Sequence, residues 1–86
     1  MGYVYILKCS NGRYYIGSTI DLVRRFTEHK TGRSKYTKDL LPVELVFSQI
    51  YESITKARQI EYKLKRLKRK DIIERIIKDK EIKMDL

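Results

Sequence analysis

The sequence predicts an α+β fold: a three-stranded antiparallel sheet flanked by helices, in the order β-β-α-β-α-α. Three observations carry this. Two aromatic and β-branched runs open the chain and are separated by a Ser-Asn-Gly turn. A third such run follows the only proline. Elsewhere apolar residues recur at three- and four-residue spacing, the period of a helix. With 86 residues there is length for one domain. The whole chain, 1–86, is therefore read as a single domain, with its core over about 3–80 and a tail that frays.

Tyr3-Val4-Tyr5-Ile6-Leu7-Lys8-Cys9 reads as the first strand. Ser10-Asn11-Gly12 forms a turn, and Arg13-Tyr14-Tyr15-Ile16-Gly17-Ser18 the second strand of a hairpin. A two-residue Asn-Gly loop would pair Leu7 with Ile16 and send Tyr5 and Tyr15 to opposite faces. A three-residue loop with Gly12 in the left-handed conformation pairs Leu7 with Tyr15 and Tyr5 with Gly17, so both tyrosines share a face. Local sequence leaves both open. Residues 21–31 read as a helix capped by Thr19 or Asp21, with Gly32 just past its end and a buried stripe at Leu22 and Phe26. Residues 33–41 form a basic loop. The third strand, 43–51, alternates Val43, Leu45, Phe47 and Gln49 on one face. A long helix over 53–69, capped by Ser53 or Thr55, carries the stripe Ala57, Ile60, Leu64, Leu67. A last helix over 71–80 carries Ile72, Ile73, Ile76 and Ile77.

Twenty Lys and Arg against eleven Asp and Glu give a net charge of +9. The partner of so basic a small surface is a polyanion, because each base that neutralises a phosphate releases a condensed counterion. Cys9 is the only cysteine, so neither an intrachain disulfide nor a Cys-based zinc site can form. That fits a reducing, cytoplasmic setting. No apolar run approaches the roughly 20 residues a membrane span needs, and the N-terminus lacks the ordered parts of a secretory signal. No membrane partner is expected.

Five side chains stand out as candidates for chemistry. Tyr5 and Tyr15 sit on adjacent strands. Arg25 and His29 lie four apart, on one helix face. Glu61 is the only acid between Lys56 and Lys70, a window with eight Lys and Arg. Singly, each has an ordinary structural reading: a strand aromatic, a surface base, a helix histidine, an ion pair with Lys65. In order, they form a pattern.

That pattern resembles the GIY-YIG nuclease superfamily, and in particular its small stand-alone bacterial and archaeal members (YhbQ-like). Tyr3-Val4-Tyr5 looks like the first name-giving motif, with Tyr3 in place of its glycine, and Tyr15-Ile16-Gly17 matches the second. The stretch from Ser18 to Phe26 resembles the strand-to-helix segment bearing the family's arginine, here Arg25. His29 falls one turn later, and Ala57-Arg58-Gln59-Ile60-Glu61-Tyr62-Lys63 resembles the helix of its metal-binding glutamate.

The resemblance implies an Mg²⁺- or Mn²⁺-dependent endonuclease that cuts DNA, in repair or recombination, with branched DNA or RNA as further substrates. It implies that Glu61 holds the metal and Arg25 the scissile phosphate. It makes Tyr5 the general base or proton relay, its pKa lowered by Arg25, His29 or the metal. His29 accepts a proton from Tyr5 or orients the phosphate, and Tyr15 positions phosphate or water. Mg²⁺ prefers oxygen ligands and often takes only one protein carboxylate, so Glu61 alone is chemically sufficient. Arg25, Lys35, Lys38, Arg58 and Lys65 are expected to contact nucleic acid, holding the backbone without reading bases. No second DNA-binding module follows, so a protein partner is expected to supply specificity. The competing reading is a non-catalytic nucleic-acid-binding module of the same fold.

Function also bears on the hairpin. If Tyr5 and Tyr15 serve one site, they must share a face, which requires the three-residue loop with Gly12 at positive φ. That register places Gly17 opposite Tyr5, as open backbone where a phosphate could approach.

Overall fold

The structure, a computed structural model, describes residues 1–83. The elements are β1 (Gly2–Lys8), β2 (Tyr14–Thr19), α1 (Leu22–Lys30), a 3-10 turn (Lys38–Leu40), β3 (Glu44–Tyr51), α2 (Ile54–Leu67) and α3 (Lys70–Asp79). The sheet is antiparallel with strand order β2-β1-β3. Its central strand is covered on both faces, which is why Val4, Tyr5, Ile6 and Leu7 are all buried and the strand reads as an unbroken apolar run.

The hairpin takes the three-residue loop. Leu7 pairs with Tyr15 and Tyr5 with Gly17. The Cys9 N–H donates to the Arg13 carbonyl at 2.8 Å, and the Gly12 N–H donates back to the Cys9 carbonyl at 2.9 Å. Gly12 has φ +83, which its missing Cβ permits without strain. Val4, Ile6 and Ile16 consequently face one way, Tyr5 and Tyr15 the other.

The first of these faces meets α2 and α3. Val4, Ile6, Ile16 and Phe47 pack against Ala57, Ile60, Leu64, Ile73 and Ile76 to make the apolar core. Helix α2 starts where Ser53 accepts a hydrogen bond from the Lys56 N–H at 3.1 Å. Among the described residues no helix is long and apolar enough to cross a membrane.

Four details of the core differ from expectation. Register slips between Ile6 and Leu7, where Phe47 pairs with Ile6 but Leu45 with Leu7. This bulge leaves Val46 as the extra residue; Val46 packs on the core, and Leu45 turns to the other face. Leu67 is 41% exposed, because α2 ends there and Lys68 adopts a left-handed conformation (φ 49) that turns the chain away. On α1, Leu22 and Phe26 are only half-buried, and the residue it buries is His29. The segment expected to fray is instead anchored at Ile82, which is buried and whose N–H donates to Gln49 Oε1 at 2.8 Å. Residues 84–86 of that tail lie outside the described residues.

Candidate active site

The second face of the sheet carries the polar site. Tyr5 leaves the central strand toward α1, and its ring lies directly over Gly17. A Cβ at position 17 would lie 2.5 Å from the Tyr5 Cζ and overlap its hydroxyl. Gly17 is thus buried by Tyr5 itself and makes room for that ring. The space on its side-chain face is filled by that ring, while Gly17 still lines the cavity of the site. Tyr15 stands on the same face, with ring centroids 6.3 Å apart.

Helix α1 closes over both tyrosines. Asp21 caps it, accepting from the Arg24 N–H at 3.1 Å. Its last turn sets the His29 ring 5.7 Å from Tyr5 and 4.9 Å from Tyr15. His29 is completely buried, and both ring nitrogens are used: Nε2 lies 2.9 Å from the Tyr5 hydroxyl and Nδ1 2.8 Å from Thr37 Oγ1. Burial, with the nearby Arg25 charge, pulls the His29 pKa down to about 4, so the ring is neutral at physiological pH. A neutral imidazole donates through one nitrogen and accepts through the other. With Nδ1–H donating to Thr37, Nε2 is free to accept from the Tyr5 O–H.

Burial also pushes the Tyr5 pKa up, to about 12, with Tyr15 adding to it and the Arg25 guanidinium opposing it. Tyr5 is therefore a neutral phenol, opposite to the depression expected for a general base. His29 supplies no positive charge to offset this, and with no exposed surface it cannot touch a phosphate.

Arg25, one turn before His29, donates from Nη1 to Glu28 Oε1 at 3.0 Å. Partial burial works against its charge, but the Glu28 hydrogen bond, with Tyr5 and Tyr15 close by, outweighs it and raises its pKa. Glu61 reaches the same place from α2. Its Oε1 accepts from the Ser18 hydroxyl, and its Oε2 lies 2.6 Å from the Lys65 ammonium. Because β2 is an edge strand, residues from both faces meet around it. Tyr5, Tyr15, Gly17, Ser18, Arg25, Tyr36, Arg58, Glu61, Tyr62 and Lys65 line one open cavity of about 550 Å³.

The chain has counterparts among known proteins. The family profile of the GIY-YIG catalytic domain matches residues 1–78. The chain belongs to the GIY-YIG family. A UPF0213 protein of Streptococcus pneumoniae is 46% identical over 68 residues, covering 78% of this chain and 69% of that one. A UPF0213 protein of Halobacterium salinarum is 41% identical over 70 residues, covering 80% and 91%. The solution NMR structure of the UPF0213 protein of Bacillus halodurans superposes with a TM-score of 0.56 at 37% identity, covering 88% of this chain and 83% of that one.

A GIY-YIG domain points to nuclease-type chemistry on DNA with a divalent metal ion. The donor set can be tested against such an ion. Among the described residues no cluster of three or more His, Cys, Asp or Glu could enclose a metal. Glu61 alone presents a carboxylate to the cavity. That suits Mg²⁺ or Mn²⁺, which accept one carboxylate together with substrate phosphate and water, and does not suit a closed zinc or calcium cage. Both carboxylate oxygens are already engaged, Oε1 by the Ser18 hydroxyl and Oε2 by the Lys65 ammonium, so a bound ion would share or displace the Lys65 contact.

Of the residues singled out in the sequence, Tyr5, Tyr15, Arg25, Glu61, Arg58 and Lys65 line the GIY-YIG cavity, and His29 lies behind it. Lys35 and Lys38 do not line it, although Lys35 lies over the ring of Tyr36, which does. Sequence reasoning missed Ser18, Tyr36, Thr37 and Tyr62. For Tyr36 a signal existed, an aromatic set among the bases of the 33–41 loop. For Thr37 there was none, since its role depends on a contact with His29 across the turn.

Proposed function

We propose that this GIY-YIG domain is a divalent-metal-dependent endonuclease that hydrolyses phosphodiester bonds of DNA and serves in repair or recombination. One observation carries the reading: a guanidinium and a carboxylate, Arg25 and Glu61, line one cavity with Tyr5, whose hydroxyl lies 2.9 Å from Nε2 of the buried neutral His29.

Each residue has a role that its environment supports. Arg25 donates its planar fork to the non-bridging oxygens of the scissile phosphate and opposes their developing charge. Tyr5 takes a proton from the attacking water while passing its own to His29 Nε2, a transfer for which the 2.9 Å hydrogen bond is in place. Thr37 holds His29 in the accepting tautomer through Nδ1. An incoming phosphate beside Arg25 offsets part of the positive charge that disfavours protonation of His29. Tyr15 positions phosphate or water with its hydroxyl. Glu61 would hold Mg²⁺ or Mn²⁺, which when bound would supply further positive charge at the phosphate. Arg58 and Lys65 hold the strand, with Lys35 and Lys38 contributing from the loop.

The engagement of Glu61 by both Ser18 and Lys65 favours a second reading, a non-catalytic nucleic-acid-binding module in which Glu61 is structural. Nicking of supercoiled plasmid in Mg²⁺, Mn²⁺ or EDTA separates the two. The endonuclease nicks with metal only, and Glu61→Gln lowers the rate by more than about 100-fold, beyond what loss of an outer-sphere contact costs. The variant still binds DNA, because one negative charge has left a basic surface. Undiminished nicking by Glu61→Gln, or none by the wild type, refutes the reading.

A further inference from the structure

The chain has seven tyrosines, and two of them are largely exposed: Tyr36 at 60% and Tyr62 at 61%. Both line the cavity of the active site, one from the loop after α1 and the other from α2. An aromatic ring left this exposed contributes little to the fold. Its flat face is available to a ligand.

Each ring is also prepared for such a ligand. Tyr36 stacks on Tyr15, with centroids 6.2 Å apart and planes at 28°, so its outer face would extend a pile already begun in the site. Its neighbour Thr37 is fully buried and bonded to His29, which pins this part of the loop. A cation lies over each ring, on a flexible side chain that an incoming base would displace toward its phosphates. Lys35 Nζ is 5.3 Å from the Tyr36 centroid, and Arg66 Cζ is 5.6 Å from that of Tyr62. Aromatic faces interleaved with bases along a cavity match the chemistry of unpaired nucleotides, whose π-faces stack on rings while their phosphates meet cations. Paired bases within a duplex cover one another's faces and cannot use these rings.

We infer that the site takes a strand with unpaired bases, stacked on Tyr36 and Tyr62, next to the phosphate held at Arg25. Resting on the endonuclease reading, this names its substrate class: single strands, or the single-stranded part of a flap or branch. An intact duplex is the poorer substrate. The required chemistry is the unpaired base, which a deoxy- or a ribo-strand can offer.

Binding measured in EDTA tests this apart from cleavage. Fluorescence anisotropy would compare labelled oligothymidylate, an abasic strand of the same length and charge, oligouridylate and a blunt duplex. The wild type is expected to bind oligothymidylate at least tenfold more tightly than the abasic strand, and more tightly than the duplex. Tyr36→Ala and Tyr62→Ala each weaken oligothymidylate binding by about 5- to 150-fold, the range for loss of one stacked base. Together they erase the difference from the abasic strand, and Tyr36→Phe and Tyr62→Phe restore it. Base-dependent binding of oligouridylate alone would assign the unpaired bases to RNA. Equal binding of oligothymidylate and the abasic strand by the wild type, or a ratio unmoved in the double alanine variant, overturns the inference. Failure of plasmid nicking would refute the endonuclease reading and leave this result standing.

Discussion

The two faces of the sheet are built on different principles, although they share the same central strand. On one, Val4, Ile6 and Ile16 meet α2 and α3 chiefly through aliphatic contacts. On the other, Tyr5, Tyr15, His29 and Thr37 meet through rings and hydrogen bonds. Aliphatic burial stabilises by about 1.5–3 kcal/mol per side chain, insensitive to pH. A buried hydrogen bond contributes about 1 kcal/mol, with a larger penalty when its partner is lost. One face therefore provides most of the stability, and the other keeps protons where chemistry can use them.

The largest expected effect lies on the apolar face. Ile76 is buried in the core and contributes nothing to the cavity. Ile76→Ala is expected to lower unfolding free energy by about 2–5 kcal/mol, through lost transfer energy and the void left behind. Urea denaturation measures this. A domain of this size has little stability in reserve. A change under about 1 kcal/mol would mean that α3 is not part of the cooperative core.

An effect of at most similar size, but sensitive to pH, is expected on the polar face. Folding lowers the His29 pKa from 6.5 to about 4. A base whose pKa falls on folding is held neutral by the fold, so the unfolded chain binds more protons. Stability from this group is then fully present above pH 6.5 and is lost as pH falls from 6.5 through 4. The full swing is up to about 3 kcal/mol. Carboxylates titrate in the lower part of that window too, so the informative quantity is the difference between wild type and His29→Gln. The wild-type curve should fall more steeply from pH 6.5 to 4. Parallel curves would show that the buried His29–Tyr5–Thr37 chain does not set the balance of this face.

The same contrast explains what could be read from the sequence. The apolar face was legible, because 3.6- and 2-residue periods fix Ala57, Ile60, Leu64, Val4 and Ile6 without knowledge of partners. It failed where tertiary pairing overrides period: at Leu45, displaced by a bulge, and at Leu67, where a left-handed Lys68 ends the helix. It failed also at Ile82, since one residue has no period. On the polar face, local sequence left the hairpin parity open, and only the requirement that Tyr5 and Tyr15 serve one site brought them to the same face. Ser18 with Glu61 and His29 with Thr37 join separate elements, and no local pattern announces them. The environment of Tyr5 was misread for a related reason: residue types suggested nearby charge, whereas its pKa follows from burial.

The smallest effect tests how sharply the polar face ends. Arg24 and Arg25 are neighbours in sequence and share Glu28, yet the helix turns their side chains about 100° apart. Arg24 is 77% exposed, and its Nε lies 3.6 Å from Glu28 Oε2. Arg25 is 30% exposed, approaches Glu28 to 3.0 Å and lines the cavity. The Arg25 hydrogen bond is the main reason that the Glu28 carboxyl is held below its usual pKa, so Glu28 stays charged without Arg24. Exposed pairs such as Arg24–Glu28 are screened by solvent and weakened by side-chain entropy. Arg24→Ala should therefore leave the thermal midpoint close to wild type and change plasmid nicking by no more than about twofold. Arg25→Lys, run alongside, keeps the charge but loses the planar fork that holds a phosphate by two hydrogen bonds. It should nick far more slowly. Equal losses at the two positions would move the catalytic edge of α1 by one residue, and with it the assignment of the phosphate to Arg25.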